Sequence, residues 1–248
     1  MTPNGNFTNG DMGENRGHSG GMYENYYLHI FNNTRRIIAQ CDASGEKGLS
    51  GVMRIVQAYG TLMTTDAYGP IPYSSILSGE NEVYFEFDSQ KDLYKAMLED
   101  LSTAITDISA MGEGEIAKLK SFDCWCNGDK DLWIKIANTM KLRMALRLSK
   151  RETEAGNAGM NLKAIATEAA KNTLATVNKD ILIDKSLENE MWLMFAWGDC
   201  GFNANLVTIM SGTKDPRQPL YMTLNTGDIK NDAGTQSQIG RASCRERV

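Results

Sequence analysis

Thr64–Tyr73 reads T-T-D-A-Y-G-P-I-P-Y, and Asn127–Lys150 reads N-G-D-K-D-L-W-I-K-I-A-N-T-M-K-L-R-M-A-L-R-L-S-K. The first is a helical run stopped by a proline-locked turn. Pro70 and Pro72 lack backbone donors and hold φ at about −65°, so Gly69–Tyr73 is expected to be rigid. In the second, Gly128-Asp129 opens a long helix on which Trp133, Ile136, Ala137, Met140 and Met144 share one face, with Arg143 and Arg147 inside that stripe. Charges in an apolar stripe need partners. Each arginine is therefore expected to form a buried structural pair with a carboxylate or carbonyls, with Asp100 and Asp66 as candidates. The functional alternative is an arginine clamp for an anionic ligand.

Outward from these segments the helical period recurs. Tyr23, Tyr26, Tyr27, Ile30, Phe31, Thr34, Ile37, Ile38 and Cys41 fall at three- and four-residue steps, and Gly45 and Gly48 break the run. Leu49, Val52, Met53, Val56, Tyr59, Leu62 and Met63 carry the next helix to Tyr68. Ser74–Asp88 reads as a loop with an aromatic end. Ser89 then stands as an N-cap with Asp92 three residues on, a pattern that satisfies orphan amides at a helix start. That helix is expected to run to Ile108 and end at Gly112 and Gly114, with a connecting segment through Trp125. Further helices are read at Asn161–Asn172 and Asn203–Met210, and strand character only in short runs such as Ile181–Ile183. The fold class is all-α: a TPR-like array of helix pairs with long irregular loops, although no 34-residue repeat can be traced.

Residues 1–22, rich in Gly and Asn, are expected to be irregular, and 23–238 to form the helical domain. Residues 239–248, I-G-R-A-S-C-R-E-R-V, match the translation of a sequencing-library adapter and are set aside as an artefact. Their removal takes three arginines and one glutamate, moving the formal charge from −5 to −7. An acidic chain without a basic cluster argues against nucleic acid and anionic membrane surfaces as partners. No apolar run is long enough to span a bilayer. Residues 1–22 show no signal-peptide pattern, so the expectation is either a cytoplasmic chain or one whose start lies upstream.

Chemistry-bearing motifs are sparse. Cys124-Trp-Cys126 is too tight for the usual zinc C-x-x-C, and His18 and His29 lie far apart, so no metal site and no cofactor is expected. Carboxylates such as Asp66, Asp123 and Asp199 are abundant without a pattern that selects a glycosidase pair. Aromatics outside the helical stripes point to binding instead: Tyr73, Tyr84, Phe85 and Phe87 in one loop, Trp125 in another, Trp192 and Trp197 in a third. A flat ring can stack on a sugar or peptide while polar neighbours bind hydroxyls. Tyr73, Tyr84, Trp125, Trp192 and Trp197 are the candidate ligand-binding residues, each with the alternative of a loop anchor packed on the helices.

Several landmarks resemble those of the SusD/RagB family of outer-membrane lipoproteins. They are T-D-A-Y-G-P-I-P-Y (Thr65–Tyr73), F-D-S-Q-K-D-L-Y-K-A-M-L-E-D-L (Phe87–Leu101), the Gly128-Asp129/Trp133/Ala137-Asn138/Leu142-Arg143/Arg147 helix and the Asp215-Pro216-Arg217 turn. The resemblance implies a TPR-like fold covering roughly the first half of a longer protein. It also implies a lipid anchor to the outer membrane of Bacteroidetes, missing from this fragment, and a surface-facing location. The expected partners are a SusC-like TonB-dependent transporter and an oligosaccharide or peptide nutrient that is bound without being transformed. The matched motifs are architectural and carry no ligand contacts with them. The rival functions are a TPR-like protein–protein scaffold and a glycoside hydrolase.

Overall fold

The structure, a computed structural model, describes residues 16–77, 84–176 and 204–221. The helices between 16 and 176 belong to one unit and those between 204 and 221 to another. In the first unit α1 (Arg16–Asn25) runs through a π-helical turn at Tyr26–Phe31 into α2 (Asn32–Ser44). Residues 16–22, expected to be irregular, are therefore helical. Extending an existing helix adds one hydrogen bond per residue fixed, so Gly20 and Gly21 weaken the run without ending it. The π turn gathers Tyr26, Tyr27 and Phe31, whose ring centroids lie 4.8–5.9 Å apart.

Gly45, at φ +79°, turns the chain from α2 into α3 (Lys47–Tyr68), which Tyr26, Phe31 and α2 cover on one side. Helix α5 (Gln90–Ser109) covers the other side. A Cβ at Gly51 would stand 3.1 Å from the Ala104 carbonyl oxygen, so glycine is what lets these two backbones approach. Ile55, Ala58, Leu62, Leu93, Met97, Leu101 and Ile108 fill the seam and are nearly inaccessible. Each large apolar side chain buried in this way contributes about 1.5–3 kcal/mol. Helix α7 (Lys130–Arg147) packs on α5, and after the short α8 (Glu152–Asn157) helix α9 (Leu162–Ala169) packs on α7, so the pairs follow one another as an all-α array.

Ser89 caps α5 as its spacing predicts, and the helix starts read at Asp129 and Asn161 are capped as well. Ser89 Oγ accepts from the Asp92 amide at 3.2 Å, Asp129 from Asp131 and Leu132 at 3.0 and 3.2 Å, and Asn161 from Ala164 at 3.0 Å. Two expectations change. The connection after Ser109 contains α6 (Glu113–Lys120), with Gly112 as its N-cap and Gly114 in its first turn, so these glycines start a helix as well as follow one. The Ser74–Asp88 loop opens with a helical turn, α4 (Ser74–Leu77).

The proline turn is held from across that loop. Gly69 adopts φ +81°, a conformation that favours glycine, and Ile71 forms a single antiparallel bridge with Asp88. The Asp88 carboxylate accepts from the Tyr73 and Ser74 amides at 2.9 and 2.8 Å and from the Ser74 hydroxyl at 2.5 Å. Tyr27 donates its hydroxyl to the Pro72 carbonyl at 2.7 Å.

In the second unit, α10 (Ala204–Gly212) and α11 (Gln218–Tyr221) flank the Asp215-Pro216-Arg217 turn. The Asp215 carboxylate accepts from the Arg217 amide at 2.9 Å and from its guanidinium at 3.0 and 2.7 Å. Residues 181–183 and the 239–248 tail lie outside the described residues.

Candidate functional site

The segment between α6 and α7 builds the most organised surface feature of the first unit around one carboxylate. Oδ1 of Asp123 accepts from the amides of Trp125 and Cys126, both at 2.9 Å. Oδ2 accepts from the Gly128 amide at 2.9 Å and from the Trp133 indole at 2.8 Å. Asn127 and Gly128 take φ +52° and +79°, the left-handed conformations that Asn and Gly tolerate best. The result lays the Trp125 ring on Trp133 at 5.6 Å between centroids and 13° between planes. Tyr59 of α3 meets Trp125 edge-on at 6.1 Å.

Trp125 is half-buried and forms a wall of two apolar hollows. One, of about 330 Å3, is flanked by Tyr59, Met63, Ile136 and Arg143. The other, about 170 Å3, is flanked by Met53, Val56 and Phe122. Tyr59 and Phe122 are 43% and 58% exposed, so aromatic surface is open to solvent on both sides of the ring. Thr139 is committed within the first hollow, donating to the Lys135 carbonyl at 2.7 Å and accepting from the Leu174 amide at 3.1 Å. Arg143, exposed at the rim, has no ion-pair partner among the described residues. A fixed indole with an unengaged guanidinium beside it offers an apolar plane and hydrogen-bond donors together.

The other candidate residues separate. Tyr84 is 86% exposed in the returning segment, with no ring contact among the described residues. Tyr73, expected to present its ring to a ligand, is 4% exposed. Its hydroxyl accepts from Gln57 Nε2 and donates to Asp100 Oδ2, both at 3.0 Å. Burial, reinforced by the Asp100 charge, pushes the phenol well above its ordinary range. The proline turn buries Ile71, Pro72 and Tyr73 in succession, and the satisfied hydroxyl makes the burial of Tyr73 inexpensive. Trp192 and Trp197 lie outside the described residues.

The arginine expectation is corrected in part. Arg147 meets Asp66, Nε to Oδ1 at 3.3 Å, but its side chain is 51% exposed. Asp100 pairs with Arg54 at 3.0 Å, and Arg54 also reaches Asp42 at 2.9 Å. Arg143 and Arg147 sit on the edge of the stripe that Trp133, Met140 and Met144 bury, because α7 is covered over a narrower arc than its wheel suggests. Three parts of the site were not anticipated: Tyr59, assigned to a helix stripe, Asp123, one carboxylate among many, and the openness of Arg143. The available signal was Asp123 followed by Asn127-Gly128, a side-chain-mimicked turn followed by left-handed residues.

Among the described residues no group of His, Cys, Asp and Glu could hold a metal ion, and no helix is long and apolar enough to cross a membrane.

The sequence matches the SusD-like family, described as Susd and RagB outer membrane lipoprotein, over residues 1–242. No curated protein matches it. Among solved structures it is similar to a SusD-like protein from Bacteroides thetaiotaomicron, with 26% identity and TM-score 0.68 over 90% of this chain and 45% of that one. A SusD homologue from Bacteroides ovatus matches with 27% identity and TM-score 0.69 over 94% and 47% of the two chains. A chitin-binding SusD homologue from Flavobacterium johnsoniae matches with 23% identity and TM-score 0.67 over 84% and 42%. The chain thus spans about half the length of the solved structures it matches.

Proposed function

The chain belongs to the SusD-like family of SusD and RagB outer-membrane lipoproteins, and from that membership we propose that it binds a glycan or other oligomeric nutrient at the bacterial surface. On this reading the ligand is bound without bond cleavage and passed to a SusC-like TonB-dependent transporter. The protein faces outward from the outer membrane on a lipid anchor. The observation that carries the proposal is the Trp125 platform, braced by Trp133 beneath, by Tyr59 at its edge and by Asp123 through its backbone. Such bracing removes the entropy of ordering a ring at the moment of binding, which makes a stacking surface more effective. Binding of chitin by the Flavobacterium relative adds a precedent for a flat, β-linked sugar chain as the ligand class.

The test is calorimetric titration of a panel of oligosaccharides, chito-oligosaccharides included, against the chain and Trp125→Ala. Loss of one stacked ring, worth about 1.5 kcal/mol, corresponds to roughly a tenfold weaker Kd. The sugars are to be recovered unshortened after incubation. Absence of any glycan binding would favour a protein–protein scaffold. Binding unchanged by Trp125→Ala would remove the platform from the site, and shortened products would favour a hydrolase.

A further inference from the structure

One turn beyond the Trp125 hollow, Asp66 of α3 and Arg147 of α7 face a second cleft, of about 500 Å3, completed by the start of α5 and by residues between 148 and 160. Tyr59 and Met63 of α3 face the first hollow and Asp66 the second; on α7, Arg143 faces the first and Arg147 the second. Residues spaced in this way lie on one helix face about 5–6 Å per turn apart, so the clefts are successive stretches of one track between α3 and α7.

Asp66 anchors the second stretch. Its side chain is only 13% exposed, and Oδ1 accepts from the Tyr94 hydroxyl at 2.7 Å as well as facing Arg147 Nε. Arg147 is thereby held by its inner nitrogen, while its two terminal nitrogens have no partner among the described residues and its guanidinium lines the cleft. Lys91 and Arg151 line it too. The Arg151 guanidinium pairs with Glu154 at 2.8 Å, and with both side chains more than 60% exposed such a pair is readily exchanged for another partner. Three cations thus surround a space in which the buried carboxylate is already committed. Half-buried Leu148 gives the lining an apolar strip, and Ala155 and Met160 at its margin are almost fully buried.

We propose that this cleft is a subsite for a carboxylate-bearing sugar, a uronic-acid unit of the oligosaccharide whose neighbouring residue stacks on Trp125. The sugar carboxylate takes the two free nitrogens of Arg147, with Lys91 and Arg151 adding charge. Ring hydroxyls donate to Glu154 and to the amide oxygen of Gln90, whose Nε2 is occupied by the Thr65 carbonyl at 2.7 Å. The apolar face of the ring lies on Leu148. Leu148 offers a sugar acid an apolar contact that a bare inorganic anion cannot use. The inference rests on the oligosaccharide-binding reading but concerns a different stretch of the track.

The experiment titrates a tetragalacturonate and its fully methyl-esterified counterpart against the chain, Arg147→Gln, the double variant Lys91→Gln/Arg151→Gln, and Trp125→Ala. The acid form is expected to bind at least tenfold tighter than the ester, with that preference shrinking as salt rises. Arg147→Gln and the double variant should each reduce the preference, while Trp125→Ala weakens acid and ester alike. The double variant changes only surface side chains, so it keeps the test decisive if Arg147→Gln unfolds. Equal affinity for acid and ester, or a preference that survives both charge variants, overturns the subsite. So does a glutamate hexapeptide that binds as tightly as the tetragalacturonate and is indifferent to Trp125→Ala. If a neutral glycan binds through Trp125 but the galacturonates do not, the subsite fails and the platform stands; if no sugar binds at all, both fail.

Discussion

Asp123→Asn is the change that most sharply tests how the platform is held. Each carboxylate oxygen of Asp123 accepts two hydrogen bonds, and all four donors sit at 2.8–2.9 Å. An asparagine keeps one oxygen and turns an NH2 group towards the other two donors, so two N–H groups lose their acceptor whichever way the amide lies. If it keeps Gly128 and Trp133, the Trp125 and Cys126 amides are orphaned; if it keeps those, the indole of Trp133, 3% exposed, is orphaned with Gly128. An unsatisfied buried donor costs about 1–3 kcal/mol, and the half-buried position of Trp125 lets water relieve part of it, so the expected loss is about 3 kcal/mol. Urea unfolding followed by tryptophan fluorescence should show the midpoint falling by roughly 1–3 M at an unchanged slope. Near-UV circular dichroism should lose the signal of the stacked indoles in the folded variant. A loss below about 0.5 kcal/mol, the size expected of an ordinary surface change, would refute the hub.

Two further outcomes are expected. Gly45 and Gly128 share φ +79°, but a Cβ at Gly45 meets nothing within 4 Å, whereas one at Gly128 would lie 2.7 Å from the Lys120 Cβ and 3.0 Å from its Cα. Gly45→Ala should cost about 1–2 kcal/mol for the left-handed backbone alone, and Gly128→Ala clearly more; equal melting shifts would mean that the α6–α7 connection is looser than described. Asp215, hydrogen-bonded by the side chain and then the backbone of Arg217, should titrate at about 2 instead of its usual 3.8. With the folded value depressed, its contribution is complete above the ordinary carboxylate range and is lost as the pH falls towards 2. Carboxyl-carbon NMR across that range would check the midpoint, and Arg217→Ala should return it towards 3.8.

What was legible in the chain was local. Caps at Ser89, Asp129 and Asn161 announce themselves within three residues, and so did the proline stop after Tyr68. Helix α6 is announced too, by Glu113 and Glu115 in its first turn and Lys118 and Lys120 in its last, a signal that the helix-breaking Gly112 and Gly114 mask. Tyr73 illustrates what was not legible. Its loop composition suggested exposure, while its burial depends on Gln57 and Asp100, which only the packing of α3 against α5 brings to it. The same holds for the platform: the sequence names Trp125 as a candidate, but the ring's edge contact comes from α3 and its brace from α7, and no local pattern records such convergence. Asp66 is one of two carboxylates the sequence offers to Arg143 and Arg147, but the half-exposed Arg147 guanidinium is not legible, because a helical wheel fixes an angle and says nothing of how far the neighbouring helix extends.

The bridge between Ile71 and Asp88, with its three carboxylate contacts to Tyr73 and Ser74, fastens both feet of the segment between α4 and α5. Once the feet are pinned, the length of what lies between them becomes thermodynamically cheap: doubling it adds only about 0.6 kcal/mol of closure entropy. Relatives sharing this clasp could lengthen, shorten or rewrite the intervening stretch without disturbing the helices on either side. That would give evolution a replaceable fingertip on an unchanging hand, and a natural position for grafting a new recognition loop.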